Sequence, residues 1–449
     1  MPEHSLWNNP SQTGILKQKE QTLRILHLVH QYPPHYVGGT ELYTRSVAIA
    51  QAESGHDVAV FVPTPEAIKR DAGPPASDLE NGVKIYRIPI GNRSRSQVFL
   101  HTFREPGLRK SWRAVLETVR PDLVHIEHLM GMPAAAASDL MDRGIPFVVT
   151  LHDYWYICAN AQLLTNTDQT ICAGPDDRAL NCARCAVARA GIKGAGGTAL
   201  LLAPILKRRN RATAAVLEAA GRVIAPTNFV REIYEGLMPQ KLRIDVLPHG
   251  TKLPPSSIEK AQSERRRDRR DGRLQVGYIG SIAWQKGPHV LIDAVNSLPE
   301  NDIALTLYGD TTIFPDYVSE LKKSIGRSGI ELGGTLSRDA LWQTITEFDI
   351  VVLPTLWYET SVLVIDEVQA MGVPVIGSDI GVMSEKILDG VNGRLFPPGD
   401  VDALCSILSE IISEPEMIES WRKNIRPVNS IDHHISALEE IYAAVLDAV

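Results

Sequence analysis

Apolar and polar positions follow two periods along this chain. Short apolar runs recur: LRILHLVH from Leu23, DVAVFVP from Asp57, KIYRIPI from Lys84, DLVHIEH from Asp122 and PFVVTLHD from Pro146. Runs of that length and content suit strands buried on both faces. Between them the pattern predicts helices over 41–52, near 107–119 and near 133–142. The pattern breaks at 252–273, a proline-, serine- and charge-rich stretch with little apolar content, which reads as a linker. It then resumes with LQVGYIG from Leu274, a helix from about Pro288, and the strands IALTLYGD, GIELGG, DIVVLP and PVIG, followed by helices over 401–449. Alternating strand and helix signals predict an α/β fold of doubly wound parallel sheets, with ligands beyond the C-terminal strand ends. The expected division is a flexible tail at 1–22, a Rossmann-like domain at 23–251, the linker, a second Rossmann-like domain at 274–426 and a terminal helix at 427–449.

Length supports two cores, since 449 residues exceed what one ordinary core fills. A net charge of −7 gives no electrostatic case for nucleic acid. There is no apolar run of membrane-spanning length, and the polar N-terminus has no signal-peptide core, so the expected location is the cytoplasm.

Candidate chemistry concentrates at Asp349–Asp379. After the strand DIVVLP comes the loop TLWYET, then a helix expected from about Ser361 to Met371, ended by Gly372 and Pro374. Its start offers free N–H groups at Ser361, Val362 and Leu363, which attract phosphate. Glu359 precedes it and Glu367 lies within it, roughly 12 Å apart if the spacing is helical. Carboxylates repel anions but accept from hydroxyls. Sugar, diphosphate and ribose in that order match this polarity; two solvated glutamates are the plainer alternative. Upstream, Lys286 lies between Gly280 and Gly287 and is a natural counter-charge for a diphosphate leaving group. Gly38 and Gly39 make a tight turn after the first strand, with Thr40 a plausible N-cap. His125, His128, His152 and Asp153 sit at strand ends.

Four of the five cysteines fall within 158–185. Cys182-x-x-Cys185 offers two thiolates from one turn, and Cys158 and Cys172 complete a tetrahedron. A closed structural zinc site is expected, with an iron–sulfur cluster as the alternative and disulfides or free thiols remaining. The segment Lys207–Arg211 is basic after an apolar half-helix, which suits a solvated helix end or contact with anionic lipid.

Glu, seven residues, Glu after VLP-x-x-W-Y-E, followed by A-x-G-V-P-V-I-x-S-D, resembles glycosyltransferase family 4. GVMSEKILDGVNGRLFPPGD is similar to another family pattern, with Val382 replacing a glycine and Glu385 a helix-start or structural residue. The resemblance covers roughly 23–445 and implies the GT-B fold, two Rossmann-like domains facing across a cleft, with the last helix crossing back to the first. It implies a retaining glycosyltransferase, a nucleotide-sugar donor (UDP- or GDP-sugar) and a glycan, lipid-linked or small-molecule acceptor in polysaccharide or glycoconjugate synthesis. No catalytic metal is implied. By resemblance Lys286 and the amides of Ser361, Val362 and Leu363 hold the diphosphate, Glu367 the ribose and Glu359 the transferred sugar. The backbone at Leu336 meets the base, the Gly38–Glu41 turn including Gly39 faces the donor phosphates, and His152 orients sugar or acceptor. Pro248, His249 and Gly250 match the turn before the interdomain linker. A subgroup shares a cysteine insertion like that at 155–187. The usual G-R-x-x-x-x-K-G has Ser281 in place of arginine here, so a Ser281 hydrogen bond beside Lys286, or an arginine elsewhere, completes the clamp. A nucleotide-sugar 2-epimerase and a non-catalytic sugar-nucleotide binder are the alternatives.

Overall fold

The computed structural model describes residues 22–67, 76–192, 196–238, 240–254 and 272–448. Most of the expected tail and of the expected linker lies outside these residues.

Two sheets organise the chain. The first contains β1 (Arg24–Leu28), β2 (Asp57–Thr64), β3 (Asp78–Glu80), β4 (Val83–Pro89), β5 (Leu123–Ile126), β6 (Phe147–Thr150), β7 (Arg222–Ala225) and β8 (Ile244–Val246), in the order β3-β4-β2-β1-β5-β6-β7-β8. All pairings are parallel except β3 with β4. The second contains β9 (Leu274–Ile279), β10 (Ile303–Tyr308), β11 (Ile330–Gly334), β12 (Ile350–Leu353), β13 (Val375–Ser378) and β14 (Gly393–Phe396), in the order β11-β10-β9-β12-β13-β14. The expected pair of doubly wound parallel sheets is what the chain forms. Their strands are apolar on both faces because helices cover both sides, so Ile25, Leu26, Val58, Val60, Val351 and Val352 are all buried.

Each sheet has one point where the strand order reverses. In the first it lies between β1 and β5, and in the second between β9 and β12. Loops leaving neighbouring strands in opposite directions open a crevice there. The segments after these four strands are Val29–Gly38, Glu127–Ala134, Gly280–Gly287 and Pro354–Val362, and they carry much of the chemistry marked in the sequence.

The C-terminal helix Ile431–Leu446 packs on the first sheet. Its Ile435, Leu438, Tyr442 and Val445 join Ile25, Tyr43, Leu123, Val148 and Ile224 in one buried cluster. The approach is tight: a Cβ at Gly250 would lie 2.6 Å from the His434 Cβ, so only glycine fits.

Local differences from the sequence reading have clear causes. The helix Gly39–Glu53 begins at the glycine turn, with Gly38 at its N-cap; Thr40 lies inside and is not the cap. The helix after the TLWYET loop spans Leu363–Ala370, starting two residues late, because Val362 turns left-handed (φ 52°) and interrupts it. β3 and β14 are three and four residues long and show no separable pattern.

Buried histidines tie stability to pH. Burial pushes His125 down to about 3 and His434 down to about 4. Both stay neutral in the fold, whereas the unfolded chain takes up protons below about pH 6.5. Unfolding therefore binds protons there, and stability falls as pH drops from about 6.5 towards 4. The expected result is a melting temperature that decreases between pH 7 and pH 5, less steeply in His434→Gln; a rise on acidification contradicts this account.

Candidate active site

The second switch point builds one wall of a cleft. After β9 the chain makes a short 3-10 turn, Trp284–Lys286, closed by Gly287 at φ +69°. A Cβ at Gly287 would lie 1.9 Å from the Pro354 carbonyl oxygen, so this glycine lets the lysine turn press against the end of β12. The amide of Leu356 donates to Gln285 at 2.8 Å and fixes the two loops together. Lys286 Nζ then donates to Glu359 Oε1 at 2.7 Å. The same oxygen accepts from Trp357 Nε1 at 2.8 Å and Thr355 Oγ1 at 3.0 Å. Glu359 is 7% exposed, so it is a buried carboxylate satisfied by three donors and not a solvated loop residue.

Past Glu359, Ser361 Oγ is buried without a hydrogen-bond partner. Val362, a β-branched residue held left-handed, is strained, and such strain persists only where surroundings impose it. The helix amides open at Leu363 and not at Ser361, and its N-cap makes no side-chain bond. Glu359 is outside this helix, so the helical spacing expected between it and Glu367 does not hold. Glu367 is buried and paired with Arg338, a cation the sequence reading passed over. Burial raises the Glu367 carboxyl and the Arg338 guanidinium opposes it. Ser281 is exposed and its side chain bonds none of these groups. Leu336 is half-buried against the cluster containing Trp342 and Ile365.

The first sheet supplies the facing wall. His152 follows β6, is 8% exposed, and bonds through Nε2 to Glu127 Oε2 at 2.8 Å. Tyr43 packs edge-on to its ring at 4.9 Å and His249 tilts on it at 5.3 Å. His128 accepts the Met130 amide at Nδ1, which leaves Nε2 to donate to Asp153 at 3.0 Å. A Cβ at Gly39 would stand 3.9 Å from Leu363 Cδ1, so the glycine turn abuts the start of the opposing helix.

Backbone-directed bonds lock the walls together. Thr360 Oγ1 donates to the His152 carbonyl at 2.7 Å, Tyr154 Oη to the Glu359 carbonyl at 3.4 Å and Thr227 Oγ1 to the Thr360 carbonyl at 3.3 Å. Glu385 accepts the amides of Asn228 and Phe229, capping the helix Asn228–Leu237 across the seam. The structure therefore brings Lys286, Glu359, Leu363, Gly39 and His152 to one cleft. Glu127, Arg338, Tyr43 and Thr360 are added to it. Glu127 had a visible signal, a charged residue two positions after His125 at the end of an apolar run.

The cysteines do not form the expected tetrahedron. All four are free thiols. Among the described residues the only group of ligand atoms within 4.8 Å of one another is His27, His125 and Glu127, with no cysteine. Cys182 and Cys185 lie on the helix Leu180–Arg189; Cys185 Sγ instead accepts from Asn166 Nδ2 at 3.1 Å, and the Cys172 thiol donates to the Gly174 carbonyl at 3.6 Å. Burial, with Cys158, Cys172 and Cys185 nearby, pushes the Cys182 thiol up to about 12. None of the four is in a disulfide, and the expected zinc or iron–sulfur site is not shown by their arrangement. The basic segment also loses a member: Arg209 is buried, donates to the Trp155 carbonyl and stacks 4.6 Å over its ring.

Comparison with known proteins gives the class. Residues 37–253 match the family described as Glycosyltransferase Family 4, and 259–428 match Glycosyl transferases group 1. The chain carries both domains and is a glycosyltransferase. Relatives include glycogen synthase of Mycobacterium tuberculosis, 24% identical over 411 residues, covering 88% of this chain and 87% of that protein. The D-inositol 3-phosphate glycosyltransferase of Paenarthrobacter aurescens is 25% identical over 406 residues, covering 85% and 86%. Among solved structures, sucrose-phosphate synthase from Thermosynechococcus elongatus superposes with a TM-score of 0.69 at 17% identity, covering 95% of this chain and 99% of that one. Anabaena HepE in complex with UDP and glucose gives 0.65 at 18%, covering 94% and 99%. The fold is GT-B.

Removing Lys286 alone leaves the Glu359 carboxylate buried with one donor fewer. Lys286→Ala is expected to lower unfolding free energy by about 1–3 kcal/mol, and adding Glu359→Gln to restore most of it. Urea unfolding of the two variants measures this; equal stability of Lys286→Ala and wild type contradicts the pairing.

Proposed function

We propose that the chain is a retaining glycosyltransferase that moves a sugar from a UDP- or GDP-sugar to a hydroxyl acceptor. The observation that carries this is the Lys286–Glu359 pair beside an uncapped helix start at Leu363, with His152 bonded in place across the cleft. A lysine and a helix N-terminus suit a diphosphate; buried carboxylates suit sugar and ribose hydroxyls.

In this reading the donor diphosphate draws Lys286 away from Glu359. The ammonium and the Leu363 end of the helix stabilise the leaving phosphate as its bond to the anomeric carbon breaks. The unpartnered Ser361 hydroxyl donates to the same phosphate. Glu359, released from the lysine, accepts from the transferred sugar near its reacting carbon. Glu367 accepts from the ribose, with Arg338 swinging aside or bridging to phosphate in the position that Ser281 leaves without a cation. His152 accepts from a sugar or acceptor hydroxyl. The acceptor oxygen bonds the anomeric carbon on the face the phosphate leaves, its proton passes to that phosphate, and configuration is retained. No metal enters any step.

The acceptor lies on the first sheet's side. A lipid-linked glycan is the reading favoured by the helix Gly196–Ala219, where Leu200, Leu201 and Ile205 are exposed ahead of Lys207, Arg208 and Arg211. Exposed aliphatics beside cations suit an anionic bilayer surface. No helix among the described residues is long and apolar enough to cross a membrane.

The test is transfer or hydrolysis of UDP-glucose, GDP-mannose and ADP-glucose, with soluble oligosaccharides or polyprenyl-diphosphate sugars in phosphatidylglycerol vesicles as acceptors. Turnover of a UDP- or GDP-sugar is expected, falling at least about 100-fold in Glu359→Ala. Epimerised nucleotide sugar without acceptor would identify an epimerase instead. Binding without turnover would identify a sugar-nucleotide binder.

A further inference from the structure

The cleft floor holds a buried polar network that the transfer steps above do not use. Glu127 follows β5, and its carboxylate is fully shielded from solvent. One oxygen bonds His152 Nε2 and the other bonds His27 Nδ1, both at 2.8 Å. His27 Nε2 meets Gln51 at 2.7 Å, and Gln51 donates to Tyr442 Oη at 3.1 Å. Tyr442, on the C-terminal helix, also bonds His125 Nδ1 at 2.6 Å, and His125 Nε2 meets Thr150 at 2.7 Å. An unbroken path thus runs from the C-terminal helix to the histidine of the cleft. His27, His125 and Glu127 stand close enough to hold an ion. All four ring nitrogens already have protein partners, so hydrogen bonding accounts for the cluster.

The protonation of this network follows from its chemistry. Burial alone would raise the Glu127 carboxyl, but His125, His152 and His27 around it hold it well below the usual carboxylate range. An ionised carboxylate only accepts. His152 Nε2 therefore carries a proton, and in the neutral ring Nδ1 carries a lone pair. Among the described residues Nδ1 has no hydrogen-bond partner.

We infer that Glu127 is a positioning residue: it fixes the proton and the ring plane of His152, so that Nδ1 is presented as an acceptor to a carbohydrate hydroxyl. A lone imidazole interchanges its tautomers; one held through Nε2 by a buried carboxylate does not. The role in turnover rests on the transfer reading above, while the tautomer itself does not. The site accordingly selects a ligand group that donates, a hydroxyl, over one that only accepts, such as a carboxylate or phosphate oxygen.

The experiment uses the full chain with nitrogen-15 histidine and long-range proton–nitrogen correlation spectra. His152 signals are those missing from His152→Asn. The expected wild-type pattern is the Nε2–H tautomer, and Glu127→Gln is expected to populate Nδ1–H. An Nδ1–H tautomer in the wild type overturns the inference, and that measurement needs no Glu127 variant to fold. An unchanged pattern in folded Glu127→Gln overturns it too. In turnover of UDP-glucose, or of GDP-mannose where that is the donor used, Glu127→Gln is expected to lower kcat about tenfold or more, with KM for the donor within about twofold. Combined with His152→Ala it is expected to add nothing; equal losses in both backgrounds would mark a purely structural role and overturn the inference. Absence of turnover in the wild type would count against the transfer reading and leave the tautomer result standing.

Discussion

The seam between the two sheets is the constraint on which the site depends. Neither sheet alone holds a complete chemistry. The second brings two cations, two carboxylates and a helix start; the first brings the histidine and the glycine turn. Three hydroxyl-to-carbonyl bonds at Thr360, Tyr154 and Thr227 set the distance between these halves. Glu385 adds a carboxylate cap across the same seam. Because the acceptors are backbone carbonyls, the loop paths themselves are aligned, and the side chains on them follow. The C-terminal helix closes the arrangement from behind, placing Tyr442 within the network under His152.

Buried charge is the second theme. Glu127, Glu359 and Glu367 are all largely removed from water, yet each has partners that meet the cost of desolvation. The partners differ in kind. Glu127 is held by His27 and His152, rings that are themselves buried and fixed. Glu359 and Glu367 are held by Lys286 and Arg338, side chains that are 28% and 46% exposed and long enough to move. In the proposed function a polyanionic ligand competes for those two cations and leaves the Glu127 network untouched. The fixed carboxylate therefore lies on the histidine side, and the two paired with partly exposed cations lie on the side where the proposed function places the nucleotide. The unpartnered Ser361 hydroxyl and the strained Val362 lie between them, at the point where the phosphate is placed in this account.

Much of this was legible in the sequence. Strands such as DIVVLP and LQVGYIG are unbroken apolar runs, so the two sheets were readable, as was the line of residues from Lys286 to Glu367. What escaped reading depends on packing between distant segments. Arg338 meets Glu367 across 29 positions and Tyr442 meets His125 across 317. No local period encodes such pairs. The helix start was misplaced by two residues because nothing in ETSVLV signals a left-handed valine. The cysteine spacing suggested a tetrahedron. The four sulfurs are near enough to affect one another, but among the described residues no three of them stand within 4.8 Å of one another, with Cys182 and Cys185 on a helix and Cys172 bonded to the Gly174 carbonyl. Arg209 looked like one of a solvated cluster and is buried because Trp155 offers it a ring face and a carbonyl.

The central claim is that the second switch point, by itself, holds a nucleoside diphosphate through Lys286. Titration calorimetry with UDP, GDP and ADP on wild type, Lys286→Ala and His152→Ala tests it most directly. The account predicts that at least one of the three binds the wild type, that binding is lost in Lys286→Ala, and that it survives in His152→Ala. Binding unchanged by loss of Lys286, or abolished by loss of His152, would contradict it.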